Sequence, residues 1–238
     1  ESPGGAGFSG ARDDNTGDVK STTLTGGNAA FTAVYRFGSR GGTPPYRVHR
    51  SFAFFDTSGV TGTVASAQFE IYGYSSGGSA GTTGSIIAVK SNAFGGDGGT
   101  ALALADFDAI PGWTDGASQA GNVTNYSAQF VTGDGWSTSS ANVLTGTSDL
   151  KADMQNNNIV IVCFMNYTND YLNVDPSSAS SLTIGGYYND ASSASLRPRI
   201  NYNLVATGYA NTINGVTAAN IGKVNGVATA DIAEINGL

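Results

Sequence analysis

The sequence is poor in cysteine, histidine and charge, and each shortage excludes something. One cysteine, Cys163, rules out an intramolecular disulfide, so no disulfide framework holds the fold. It sits in the apolar run Ile159-Val160-Ile161-Val162-Cys163-Phe164-Met165, where a cysteine acts as a small hydrophobe rather than a nucleophile. One histidine, His49, makes any Ser-His-Asp or Cys-His triad depend on a single residue flanked by Arg47 and Arg50. The patterns HExxH, CxxC, GxSxG and GxxxxGK[ST] are missing, so zinc hydrolysis and phosphate-loop chemistry lack their parts. No apolar run approaches the roughly 20 residues of a membrane-spanning helix, and membrane insertion is not expected. Charged residues are 12% of the chain and the net charge is −7, which repels phosphate backbones and argues against a nucleic-acid partner. No signal-peptide pattern is visible at the N-terminus, which starts at Glu1 rather than Met, as expected if a segment has been removed.

What is abundant is glycine, with 34 residues, alongside Ser, Thr, Asn and Ala. Such a chain is either disordered or built of short strands joined by small-residue turns. A hydrophobic content of 40%, with 11 Tyr and 11 Phe, favours the strands. Residues 1–20 are polar and Gly-rich with Phe8 as their apolar anchor, and read as an extended N-terminal arm. From Ser21 the punctuation becomes regular. Ala67, Phe69 and Ile71 alternate with Gln68, Glu70 and Tyr72, the period of a strand with one buried face and Gln68 and Glu70 wet. Residues 50–55, 85–90 and 182–184 read as further strands, and residues 159–165 as a central one. Residues 200–204 read as a last strand in which Ile200, Tyr202 and Leu204 pack. One helix is expected near residues 147–154. Leu150 and Met154 share its face, Ser148 caps its start, and Asn156-Asn157-Asn158 end it. Many short strands with little helix predict an all-β antiparallel sandwich of the jelly-roll kind over residues 21–205.

The stretch HRSFAFFDTSGVTGTVASAQFEIYGYSSGG, His49 to Gly78, resembles a phrase of the DNRLRE-type jelly-roll modules of extracellular and viral proteins. In those modules an Arg and an apolar strand lead into Phe-Asp-Thr-Ser, a turn, and a strand ending Ile-Tyr. The resemblance continues through Leu150–Met154, Ile159–Met165 and Leu196-Arg197-Pro198-Arg199-Ile200-Asn201-Tyr202, and spans roughly residues 20–205. It implies the jelly-roll fold and says little about function. Asp56-Thr57-Ser58-Gly59 supplies turn acceptors followed by glycine, and Pro198 suits a strand entry or an edge.

Residues 206–238 form a tail with an 11-residue phrase. Ile213-Asn214-Gly215-Val216 returns as Val224-Asn225-Gly226-Val227 and as Ile235-Asn236-Gly237-Leu238. The spacings Ile221/Val224 and Ile232/Ile235 favour short helical turns, whereas the Asn-Gly pairs suit hairpins. Neither holds itself in water, so the apolar residues Val216, Ile221, Val224, Val227, Ile232 and Ile235 are the expected assembly interface. This tail resembles the VNGV-type C-terminal repeats of tailed-bacteriophage structural proteins, with Glu234 where a basic residue is usual. The resemblance implies a virion location, other virion proteins as partners, and a homo-oligomer.

Other candidate sites are weaker. Arg36, Arg40, Arg47 and Arg50 form a basic cluster suited to a glycan, carboxylate or phosphate, or simply a strand edge facing scattered carboxylates. Asp13, Asp14, Asn15 and Asp18 offer hard oxygen ligands around Gly17 for a structural calcium ion, though Gly at the fifth place and no Glu at the twelfth depart from an EF-hand. Asp106/Asp108 and Asp13/Asp14 are the closest carboxylate pairs for glycoside hydrolysis, but solvated loop acids look the same. Trp113, Trp136, Tyr72, Tyr74, Tyr126, Tyr187 and Tyr188 either make a sugar-stacking face or fill the core. The expectation is a non-enzymatic structural protein of a tailed-phage virion, in capsid decoration or a tail fibre, with no catalytic residues. A host-surface glycan is a further candidate partner, and the alternatives are a secreted or cell-surface bacterial carbohydrate-binding jelly-roll module and a glycan-cleaving tail spike.

Overall fold

The computed structural model describes residues 2–4, 7–21, 30–36, 46–78, 85–131, 135–176, 180–187, 191–205, 223–224 and 227–228. In chain order the elements are β1 (Ser2–Gly4), α1 (Phe8–Arg12), β2 (Ala30–Arg36), β3 (Tyr46–His49), β4 (Ser51–Asp56), β5 (Val64–Gly78), β6 (Ser85–Lys90), β7 (Phe130–Val131), β8 (Ala141–Thr145), α2 (Ser148–Asn156), β9 (Ile159–Asn166), β10 (Ser180–Gly186), β11 (Arg199–Leu204), β12 (Lys223–Val224) and β13 (Val227–Ala228). All the paired strands are antiparallel. The larger sheet runs β1-β3-β2-β10-β5-β11, with β8 also on β5, and the smaller runs β4-β9-β6-β7. The chain is therefore mostly β-strand in antiparallel sheets, as the composition predicts.

The two sheets face each other across one core. Phe31 on β2 and Phe69 on β5 meet Phe164 on β9, with ring centroids 4.9 and 5.3 Å apart. Ile71, Leu144 and Ile184 from the larger sheet join Ile86, Ala88, Val160 and Val162 from the smaller. Helix α2 plugs the core with Leu150 and Met154, four residues apart on one face as the spacing predicts. Its cap is Thr147 rather than Ser148: the Thr147 hydroxyl accepts from the Leu150 amide at 3.3 Å. The helix ends at Asn156.

β9 is central, between β4 and β6, and both its faces are covered. Val160, Val162 and Phe164 enter the inter-sheet core. Cys163 and Met165 point the other way, under Ile110, Val123 and Tyr171 from the loops and turn that wrap the outer face. Double covering explains an apolar run without alternation in an antiparallel sheet.

Three expectations are corrected. The N-terminal segment is not an extended arm in its described part. β1 pairs with β3, and α1 buries Phe8 and Ala11 against Val34, Tyr46, Val48 and Phe107 and encloses Arg12. A charged residue fully enclosed in a Gly-rich segment needs partners, and the fold supplies them from distant sequence. Glu70 is not wet: Arg199 and Asn201 from β11 and Gln68 bond its carboxylate, at 2.7, 3.1 and 3.2 Å. On β11 Ile200 packs against the core, but Tyr202, at the margin of an open cleft, and Leu204 remain 37% and 40% exposed.

In the tail, Val224 pairs with Val227 and Lys223 with Ala228, antiparallel, so the described residues of the full copy pair as hairpin strands and not as a helical turn. Val216, Ile221, Ile232 and Ile235 lie outside the described residues, as does Arg40.

Candidate functional site

Two features stand out: a buried ionic node beneath the N-terminal helix, and a cleft along β4. They meet at Arg50, the residue that joins β3 to β4.

The node is assembled from three distant segments. Arg50 donates Nε to Asp170 Oδ2 at 2.9 Å and Nη2 to Asp170 Oδ1 at 2.8 Å. It also reaches the carbonyls of Phe107 and Arg12, both at 2.8 Å. Arg12 donates to the carbonyls of Asp170 at 2.6 Å and Ala117 at 2.7 Å, and to the Asp13 carboxylate. Both guanidinium carbons lie over the Trp113 ring, 4.4 Å from its centroid for Arg12 and 4.1 Å for Arg50, and Arg50 lies over Phe107 at 4.2 Å. Burial alone lowers an arginine's pKa. It does so for Arg12, while at Arg50 the Asp170 carboxylate overrides it and raises the value. A fork of donors matched to a carboxylate, with further bonds to backbone carbonyls, makes an enclosed charge tolerable. This arrangement holds elements together and commits every nitrogen of both guanidiniums to a protein acceptor.

The arginine cluster therefore divides. Arg50 turns inward and is consumed by Asp170. Arg36 donates to the Tyr46 hydroxyl at 2.8 Å, which in turn donates to Asp175 at 2.9 Å, and Arg47 is exposed on β3. Alternation along the strand, with Arg50 beyond its end, puts Arg47 and Arg50 in different surroundings, so they do not form one surface patch.

The acidic residues fare similarly. The Asp13 carboxylate faces the Arg12 guanidinium and accepts from the Gly116 amide at 3.0 Å, and Asp14 accepts from the Thr16 amide at 3.2 Å. Among the described residues no group of three or more Asp, Glu, His or Cys side chains converges. Asp106 is a turn acceptor, taking the amides of Ala103 at 2.8 Å and Phe94 at 3.2 Å. Burial pushes the Asp108 carboxyl up against the pull of Arg50. Burial also pushes the Cys163 thiol up, and lowers His49 to about 3, so His49 is a neutral strand-end residue. Of the aromatic candidates, Trp136 and Tyr126 are core, Trp113 packs under the node, and Tyr74 sits edge-on to Tyr187 with centroids 5.4 Å apart. Tyr188 is outside the described residues.

The cleft has a volume of about 620 Å³ and follows β4 from His49 to Val60. Its inner wall carries Phe31, Phe55, Met154 and Ile200, and its outer wall Phe54, Phe94 and Leu104. Phe54 is 48% exposed. β11 forms its far margin through Pro198, Arg199, Ile200 and Tyr202. Sequence reasoning missed this cleft, as it missed Arg12 and Asp170. The one legible signal was Phe52-Ala53-Phe54-Phe55, apolar on both faces at what proves to be an edge.

No protein-family model and no curated protein matches the sequence.

Proposed function

We propose that this is a non-enzymatic structural protein of a tailed-bacteriophage virion: a jelly-roll head that assembles through its C-terminal repeat tail. The observation that carries the reading is the hairpin at the full copy of the repeated phrase. β12 and β13 contribute two residues each, and no other described strand pairs with them. Val227 is 49% exposed. An isolated two-stranded hairpin is marginal in water, so a chain that repeats this phrase after a finished sandwich needs a second surface to cover it. The buried Arg12–Asp170–Arg50 node supports the same reading, since it spends its polar side chains on rigidity.

The test is incorporation into particles. A chain truncated after Val205 is expected to be absent from purified virions of the source phage, with the intact chain present. Wild-type occupancy of the truncated chain overturns the reading.

A second reading, a glycan-binding module, is favoured by the Tyr74–Tyr187 pair: Tyr74 is half exposed and offers a ring face beside a second ring. Glycan-array binding that disappears in Tyr74→Ala supports it, and an array without signal removes it.

A further inference from the structure

We infer that the cleft along β4 is an acceptor groove for an extended strand, and that the strand is residues 229–235 of a second copy of this chain. The inference rests on the assembly reading above and names the surface that the tail engages.

The backbone supplies the first argument. Lys90 donates to Thr124 and the Ala88 carbonyl accepts from Tyr126, so these residues of β6 turn away from β9, and Ile87 and Val89 face it. Strand alternation then gives β9 residues Cys163 and Met165 to β6, and Val160, Val162 and Phe164 to β4. Their partners on β4 are Phe55, Ala53 and Ser51. The amides and carbonyls of Phe52, Phe54 and Asp56 therefore project from the other edge, to which no described strand pairs. An edge of this kind, set in a cleft, calls for an extended backbone.

The walls supply the second. A strand beside β4 places alternate side chains between the sheets, against Phe55, Met154 and Ile200, and on the outer side, against Phe54, Phe94 and Leu104. It must be slim, with small or apolar side chains on both faces and any charge near the cations of the rim. Residues 229–235 read Thr-Ala-Asp-Ile-Ala-Glu-Ile, with Ala230, Ile232 and Glu234 on one face and Asp231, Ala233 and Ile235 on the other. Asp231 and Glu234 can meet the Lys20 and Arg199 that line the groove.

Chain length selects the second copy. Val205 leaves the sandwich bonded to Thr63, close in sequence to the Gly59 and Val60 that line one end of the groove, so a few residues suffice to enter the chain's own groove. Residues 206–228 intervene instead, and 206–222, before the hairpin, can alone span up to about 55 Å when extended, enough to reach a neighbouring copy.

The test uses the intact chain, free of particles. Amide hydrogen exchange at Phe54 and Asp56 should slow by about tenfold or more from micromolar to millimolar protein, as mass by light scattering rises above the monomer. Phe54→Glu, and independently Tyr202→Glu on the opposite margin, should abolish both changes. Exchange that is fast at all concentrations, or equally protected at all of them as the chain's own tail would cause, overturns the inference. So does self-association that survives both variants. A chain that enters virions in a tail-dependent way yet shows no concentration-dependent protection overturns the groove alone and leaves the assembly reading standing.

Discussion

Arg50 and Asp170 are 120 residues apart in sequence and share two parallel hydrogen bonds of 2.9 and 2.8 Å, with both side chains fully enclosed. Asp170 also lies beside Arg12, with 3.9 Å between the Arg12 Nε and Asp170 Oδ1. One carboxylate thus serves two enclosed guanidiniums, and its loss exposes an asymmetry.

Asp170→Ala leaves two buried cations with no enclosed anion between them. The expected loss is about 3–5 kcal/mol of unfolding free energy, read by urea titration. Arg50→Lys is also expected to destabilise, because a point charge cannot reproduce the fork and the two carbonyl bonds. A double variant, Arg50→Met with Asp170→Leu, should recover part of the loss; no recovery would show that the pair itself contributes net stability.

Val162→Asp places a carboxylate in the inter-sheet core, where Val162 is fully buried on the central strand. No partner is at hand, and the cost of an unpaired charge exceeds the stability of an ordinary domain. The variant should yield no soluble folded protein. Thermal unfolding equal to that of the parent would remove β9 from the core.

His49 gives a pH dependence with a definite sign. Burial, with Arg47 adding like charge, lowers its folded pKa to about 3 from an ordinary 6.5, so folding holds the ring neutral. The contribution is complete above the unfolded pKa and is lost as pH falls toward the folded one. Stability should therefore decline by up to about 1.4 kcal/mol per pH unit below roughly pH 6.5. Between about pH 5 and 6.5 few ordinary carboxylates titrate, so His49→Gln should flatten the slope in that window. An unchanged slope would assign the dependence to another group.

Gly73 on β5 lies where a Cβ would stand 2.1 Å from the Ser137 carbonyl oxygen and 2.6 Å from the Trp136 indole nitrogen. That nitrogen donates to the Gly185 carbonyl at 3.0 Å, which ties the loop before β8 to β10. Gly73→Ala should cost about 1–3 kcal/mol by overpacking and shift the tryptophan fluorescence, whereas Gly59→Ala, with open space around the Cβ, should do neither.

How much of this was legible in the sequence varies element by element. The alternation of Ala67, Phe69 and Ile71, the four-residue spacing of Leu150 and Met154, and the unbroken apolar run at β9 are each local signals, and each proved to be buried. The helix cap was misplaced by one residue, since Thr147 and Ser148 offer the same hydroxyl and only the entry angle of the chain chooses between them. Tyr202 and Leu204 alternate as convincingly as buried residues do, but alternation does not report whether anything lies opposite.

The amino-acid sequence by itself determined the all-β class, the short helix, the central position of residues 159–165 and the repeated phrase of the tail. These follow from composition and from periods a few residues long. Tertiary structure alone decided that Arg12 and Arg50 converge on Asp170, that the N-terminal segment docks instead of extending, and that β4 borders an open cleft. The reason is physical: an arginine or an aspartate looks the same in sequence whether solvated or enclosed, and the apolar run of β4 looks the same whether its outer edge is paired or open. What distinguishes them is a partner more than a hundred residues away, and no local pattern records it.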